Sequence, residues 1–120
     1  IAFIKKTNSD YGSSSEEGNY QDSPTFTYTG IADTEKNKQT KKNGTRTLIP
    51  TGQTTAVNNI YDMGGNVWEC TTESYSDTGN PYTTRGGGYA NGFASIPAGY
   101  RHDDSDHADV YDGFRITLFL

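Results

Sequence analysis

No stretch of 11–18 residues in this chain sustains the apolar spacing of an amphipathic helix. Its apolar residues come in short alternating runs, separated by Gly, Asn, Ser and Thr, residue types that build turns. A chain of 120 residues patterned in this way has to close one core out of short strands and loops. Only 31% of the residues are hydrophobic and the mean hydropathy is -0.83, close to the range of disordered chains. Nine Tyr, five Phe and one Trp offset that poverty, because each aromatic ring buries a large area. The expectation is one loop-rich domain with a small aromatic core.

Composition excludes several functions. The net charge is -5, and a chain without a basic cluster is a poor partner for nucleic acid. The pairs Lys5-Lys6 and Lys41-Lys42 read as solvated loop charges. A single cysteine, Cys70, permits no intrachain disulfide and no paired-thiol chemistry. No run of 18 apolar residues is present, so membrane insertion is not expected. The chain starts at Ile1 and not Met, and so reads as a piece of a longer protein.

Along the chain, Ile1 to Ile4 is a short apolar start and residues 7–24 an irregular loop. "TFTYTGIA", Thr25 to Ala32, alternates as a strand does. Residues 33–47 are polar, with an Asn43-Gly44 turn, and read as an exposed loop; Leu48 to Gly52 reads as a buried segment turning at Pro50. Within "NVWEC", Val67 and Glu69 face one way and Trp68 and Cys70 the other, which makes Trp68 core and Cys70 a buried small hydrophobe. No Ser-His-Asp or Cys-His grouping at useful spacing would activate Cys70 as a nucleophile. Gly86, Gly87 and Gly88 suggest close backbone approach or positive φ; no Lys follows them to make a phosphate cradle. Ile116, Leu118 and Leu120 alternate as a terminal strand, central in a small sheet.

"NNIYDMGGNVWEC", "RGGGY" and "GFRITL" occur in that order, and together they resemble the formylglycine-generating-enzyme (sulfatase-modifying factor) family. The resemblance covers roughly residues 58–120. It implies an α+β, C-type-lectin-like fold that is loop-rich with a small antiparallel sheet, its helical N-terminal part lying upstream or lost. One domain then spans 1–120: a poorly matched part at 1–57, a scaffold at 58–85, and a variable ligand-binding region with the final strand at 86–120. The family's enzymes use two copper-binding cysteines after the R-G-G motif. The matching positions fall near Asn91 and Ile96. Copper(I) prefers soft thiolates, so the resemblance implies no copper and no oxidase here. It also implies a structural calcium, held by the Asp62 and Glu69 carboxylates and the Gly65 and Val67 carbonyls, hard oxygen donors across one turn. The alternative is that Asp62 caps the turn and Glu69 pairs with an arginine.

Some proteins of this fold are targets of diversity-generating retroelements, in which errors at template adenines vary AAY codons. Such codons cannot give Lys, Glu, Gln, Met or Trp. Those five types occur 16 times in residues 1–85 and never in residues 86–120. At the earlier frequency, an empty stretch of that length has a chance on the order of one in a thousand, a strong local bias. The same region is rich in Tyr, Ser, Gly, Asn and Asp, as natural paratopes are. The expected ligand-binding residues are Tyr89, Asn91, Phe93, Tyr100, His102, Asp103, Asp104, Asp106, His107, Asp109, Tyr111 and Asp112. "HDDSDHADVYD" also reads as a solvated acidic loop, or as a metal site through His102 and His107, though neither an EF-hand nor a zinc spacing is matched. Arg101 and Arg115 are expected to pair with carboxylates of the scaffold. The expectation is a non-enzymatic, hypervariable binding domain displayed on a phage tail or bacterial surface, hence extracellular, on a cell surface or on a phage virion, with a protein or cell-surface ligand of basic or hydrogen-bond-donating character. The alternatives are a plain structural module of a surface or tail protein, or an oxidase relative.

Overall fold

The computed structural model describes residues 18–30, 37–56, 60–74, 82–92, 95–96, 98–104 and 109–115. The expected start at Ile1 to Ile4 and the terminal strand at 116–120 lie outside them. The described elements are all strands, so the helical half of the expected α+β class has no counterpart among the described residues. β1 (Phe26–Thr29) and β2 (Lys38–Lys41) form an antiparallel pair. β3 (Trp68–Ser74), β4 (Tyr82–Arg85), β5 (Arg101–Asp104) and β6 (Asp112–Gly113) form a second sheet in the order β5-β4-β3-β6. Its pairings are antiparallel except β3 with β6, which is parallel.

β1 falls within the expected strand at 25–32. β2 does not: the stretch expected to be an exposed loop supplies a strand whose partners run from Phe26↔Lys41 to Thr29↔Lys38. Its last residue corrects a second expectation. Lys41 is buried at 1% exposure. Its ammonium donates to the carbonyls of Tyr20, Gln21 and Ser23. The loop at 20–23 turns three carbonyls toward the ammonium, and a cation with three donors can serve all of them. Burial pushes the Lys41 ammonium below its usual pKa, and the nearby Asp22 carboxylate opposes that shift.

Among the described residues, more polar than hydrophobic side chains are buried. Tyr20 is fully buried and its hydroxyl donates to Gly86 O at 2.8 Å. The glycine run packs against its ring: a Cβ on Gly87, where φ is +72°, would meet Tyr20 Cε1 at 2.8 Å. Asn66, itself left-handed at φ 66°, donates to Ile49 O and accepts from the Ile49 and Asn19 nitrogens. Its own N–H reaches Asn19 O, and its carbonyl accepts from Tyr89 N. The expected buried segment at 48–52 is buried only in part: Ile49 is 3% exposed and Leu48 is 54% exposed. β4 is the covered strand, with both Thr83 and Thr84 buried.

Candidate functional site

Ring contacts bring two of the expected ligand-binding residues, Tyr100 and His102, onto Trp68. Cys70, Thr84 and His102 lie in one row across β3, β4 and β5, and Glu69, Arg85 and Arg101 in the next. Residues opposite one another share a face, so the two rows project to opposite sides. On the first side His102 sits 5.0 Å from Trp68 by ring centroids and Tyr100 sits 6.2 Å from it, edge-on. Trp68 is 8% exposed and Tyr100 is 40% exposed, so the indole forms a covered floor and the tyrosine an open rim. Gly88 lies against the same indole, where an added Cβ would come within 3.3 Å of Trp68 Cδ1. Beyond Gly88, the half-buried Tyr89 and Tyr111 pair at 5.4 Å.

Other expected residues take other roles. The Asn91 side-chain oxygen accepts from Gly88 N at 2.9 Å, and its carbonyl accepts from Gln21 N, so it closes the loop that carries Tyr89. Asp103 alternates away from the Trp68 side, and Asp109 is exposed. Asp104 contributes backbone to β5, opposite Tyr82. Asp112 pairs through its backbone with Trp68 across the parallel strands. Phe93, Asp106 and His107, and with His107 the alternative metal site, lie outside the described residues. Tyr82 was not among the expected residues, yet it is 49% exposed, two places along β4 from Thr84 and so toward the same side. Its signal was weak because it precedes the compositionally biased region.

Cys70 corrects another expectation: it is exposed. Alternation placed it on the Trp68 side, as expected. What alternation does not give is depth: on that same side Trp68 is 8% exposed while Cys70 is open.

The opposite face is ionic. Glu73 pairs with Arg85 at 2.6 Å and with Arg101 at 2.7 Å, and Arg85 also donates to Gly99 O. The hydrogen bond from Arg85 holds the Glu73 carboxyl below the usual carboxylate range, with the charges of Arg85 and Arg101 adding to it. Arg101 and Arg115 therefore both pair with carboxylates as expected, Arg101 with Glu73 and Arg115 with Glu69.

The four residues that the resemblance assigns to calcium do line one cleft of about 330 Å³, together with Thr51, Asn66, Phe114 and Arg115. Their carboxylates are engaged otherwise. Asp62 Oδ2 accepts from Gly52 N, and Oδ1 accepts from the Thr54 hydroxyl, both at 2.6 Å. Glu69 Oε1 accepts from Arg115 Nε at 2.8 Å and lies 2.6 Å from Nη2. With a guanidinium among them, the four groups as arranged do not fit a calcium ion, which needs several oxygens turned to one point with no competing cation. Among the described residues no group of three or more His, Cys, Asp or Glu could hold a metal. No helix of the described residues is long and apolar enough to cross a membrane.

The family model described as "Sulfatase-modifying factor enzyme 1-like domain" matches residues 7–118. No curated protein and no solved structure matches the chain. The family match thus takes in the N-terminal residues that the motifs left poorly covered, in keeping with the buried positions of Asn19, Tyr20 and Lys41.

Proposed function

Because the chain belongs to the family of sulfatase-modifying factor enzyme 1-like domains, we propose that it is a member that binds a ligand and catalyses no reaction. Its ligand-binding surface joins Tyr100 and His102, which rest on Trp68, with the Tyr89–Tyr111 pair. The supporting observation is the contrast at Trp68: a nearly closed indole fixed by β3, with the exposed His102 of β5 and the exposed Tyr100 just before that strand resting on it. Rigid amphipathic rings on a fixed base supply contact area at low entropic cost. From Tyr100 through Asp112 five aspartates stand against Arg101, which favours a partner rich in basic or donor groups, such as a protein or cell-surface ligand.

The loss of Lys, Glu, Gln, Met and Trp from residues 86–120 supports diversification by a retroelement acting on AAY codons, in a domain displayed on a cell surface or phage virion. Sequencing the gene across isolates tests this: substitutions confined to codons opposite template adenines are expected, and evenly scattered changes would leave a plain structural module. The oxidase reading meets Asn91 and Ile96 where thiolates would stand, and Asn91 is committed to its own loop. Titration with copper(I) is expected to show no stoichiometric uptake, and uptake with turnover of a cysteine peptide would restore the oxidase reading.

A further inference from the structure

The cleft between the 62–69 turn and the GFR segment contains a cation that belongs to the chain. Arg115 donates to Tyr61 O at 3.1 Å, to Asp62 O at 2.6 Å and to Glu69 Oε1 at 2.8 Å. Two carbonyls and one carboxylate thus converge on one planar guanidinium. The backbone here is forced: Asp62 is left-handed at φ 53°, an uncommon conformation for a residue with a side chain. It is held from both sides, its carboxylate by Gly52 and Thr54 and its carbonyl by Arg115.

We infer that Arg115 is the resident cation of this cleft and does what a bound calcium would otherwise do, tying the turn at 61–69 to the C-terminal segment, so that the domain holds its fold independently of calcium. The arrangement follows from chemistry on both sides. A guanidinium presents donors in a fixed fork that suits a carboxylate and adjacent carbonyls together. A divalent ion entering beside it would meet like charge and would first have to displace it from Glu69. A permanent side-chain cation also cannot dissociate, so the frame would be the same in media with and without the ion.

Thermal unfolding of the whole chain, followed by circular dichroism in 5 mM calcium chloride and in EDTA, is the test. The two midpoints are expected to agree within about 1 °C; a rise of about 4 °C or more in calcium, the shift that roughly 1 kcal/mol of binding would give, would overturn the inference. In EDTA, Arg115→Gln is expected to melt about 5–10 °C lower than the parent, and a midpoint within about 1 °C of it would equally overturn the inference. The double variant Glu69→Gln/Arg115→Gln distinguishes a cation role from general packing. It is expected to recover part of the loss, because it removes the carboxylate left unpaired; a further fall would count against Arg115 as the counter-charge. If Arg115→Gln does not fold, the calcium comparison on the parent chain still decides.

Discussion

Two regions of the molecule are built from opposite materials. The interior around Tyr20, Lys41 and Asn66 is held by side chains that bond to main-chain groups: Tyr20 to Gly86 O, Lys41 to three carbonyls of one loop, Asn66 to both polar groups of Ile49. The surface around Trp68 is held by rings resting on rings at 5.0–6.2 Å. A bond to a main-chain carbonyl needs one donor at one place, and few residue types supply it. A ring contact is less demanding, and many side chains can replace it. The stringent positions and the tolerant ones are therefore different residues, which is what the proposed exchange of a face on a kept frame requires.

Backbone geometry should break first. Gly65 has φ +73°, and a Cβ there would lie 2.5–2.8 Å from the main chain of Asn19, so Gly65→Ala is expected to cost above ~3 kcal/mol and to leave little folded protein in a urea titration. A fully cooperative transition at the parental midpoint would show that the frame is looser than described. Next comes Lys41→Met, which keeps the aliphatic stem and takes one donor from each of the Tyr20, Gln21 and Ser23 carbonyls, leaving them to Ser23 N, Gly44 N and Asn43 Nδ2; the expected loss is about 1–3 kcal/mol by urea unfolding. Tyr20→Phe removes one bond and no ring, with an expected loss of about 1–2 kcal/mol.

Acid probes the ionic face of the sheet. The Glu73 carboxyl is held below its ordinary value of 4.5, so its contribution is present above that value and is lost as pH falls through its lower folded value. The exposed setting keeps the effect small: a modest downward drift of the melting midpoint below about pH 4.5, absent in Glu73→Gln, checks it. The smallest change of stability belongs to Tyr100→Ala with Tyr111→Ala, expected within about 1 kcal/mol by thermal melting, while binding to a ligand selected on the parent chain falls by at least about tenfold. A double variant that binds as the parent does would remove these rings from the recognition surface, and one that unfolds would erase the contrast between the two regions.

The scaffold motifs were legible because their signals are local. "NVWEC" gave β3 and the side of Trp68, the glycine run gave the left-handed Gly86 and Gly87, and the pairing of Arg101 and Arg115 with carboxylates followed from charge alone. The interior was not legible, because its partners are far apart in sequence. Tyr20 and Gly86 are 66 residues apart, and Asn19 and Asn66 are 47 apart. Nothing local distinguishes Lys41 from its exposed neighbour Lys42; only the inward carbonyls of residues 20–23 do so. Exposure of Cys70 was missed for a related reason, since periodicity assigns a side and the cover comes from another segment. The proposed ligand surface was partly legible: Tyr100 and His102 meet over Trp68, while Asn91 is spent on its own loop and the exposed Tyr82 lies toward the same side from outside the biased region.

The enclosed ammonium of Lys41 gives the molecule a chemical timer. Lys38 and Lys42 are exposed beside it, so an acylating reagent should modify those amines at once and reach Lys41 only when the loop at 20–23 lifts. Peptide mass spectrometry over a time course should find Lys41 labelled last, at the rate of that opening, and equal rates at the three amines would contradict it. The domain could then be tethered to beads or dyes through its outer lysines without disturbing the part that must stay shut.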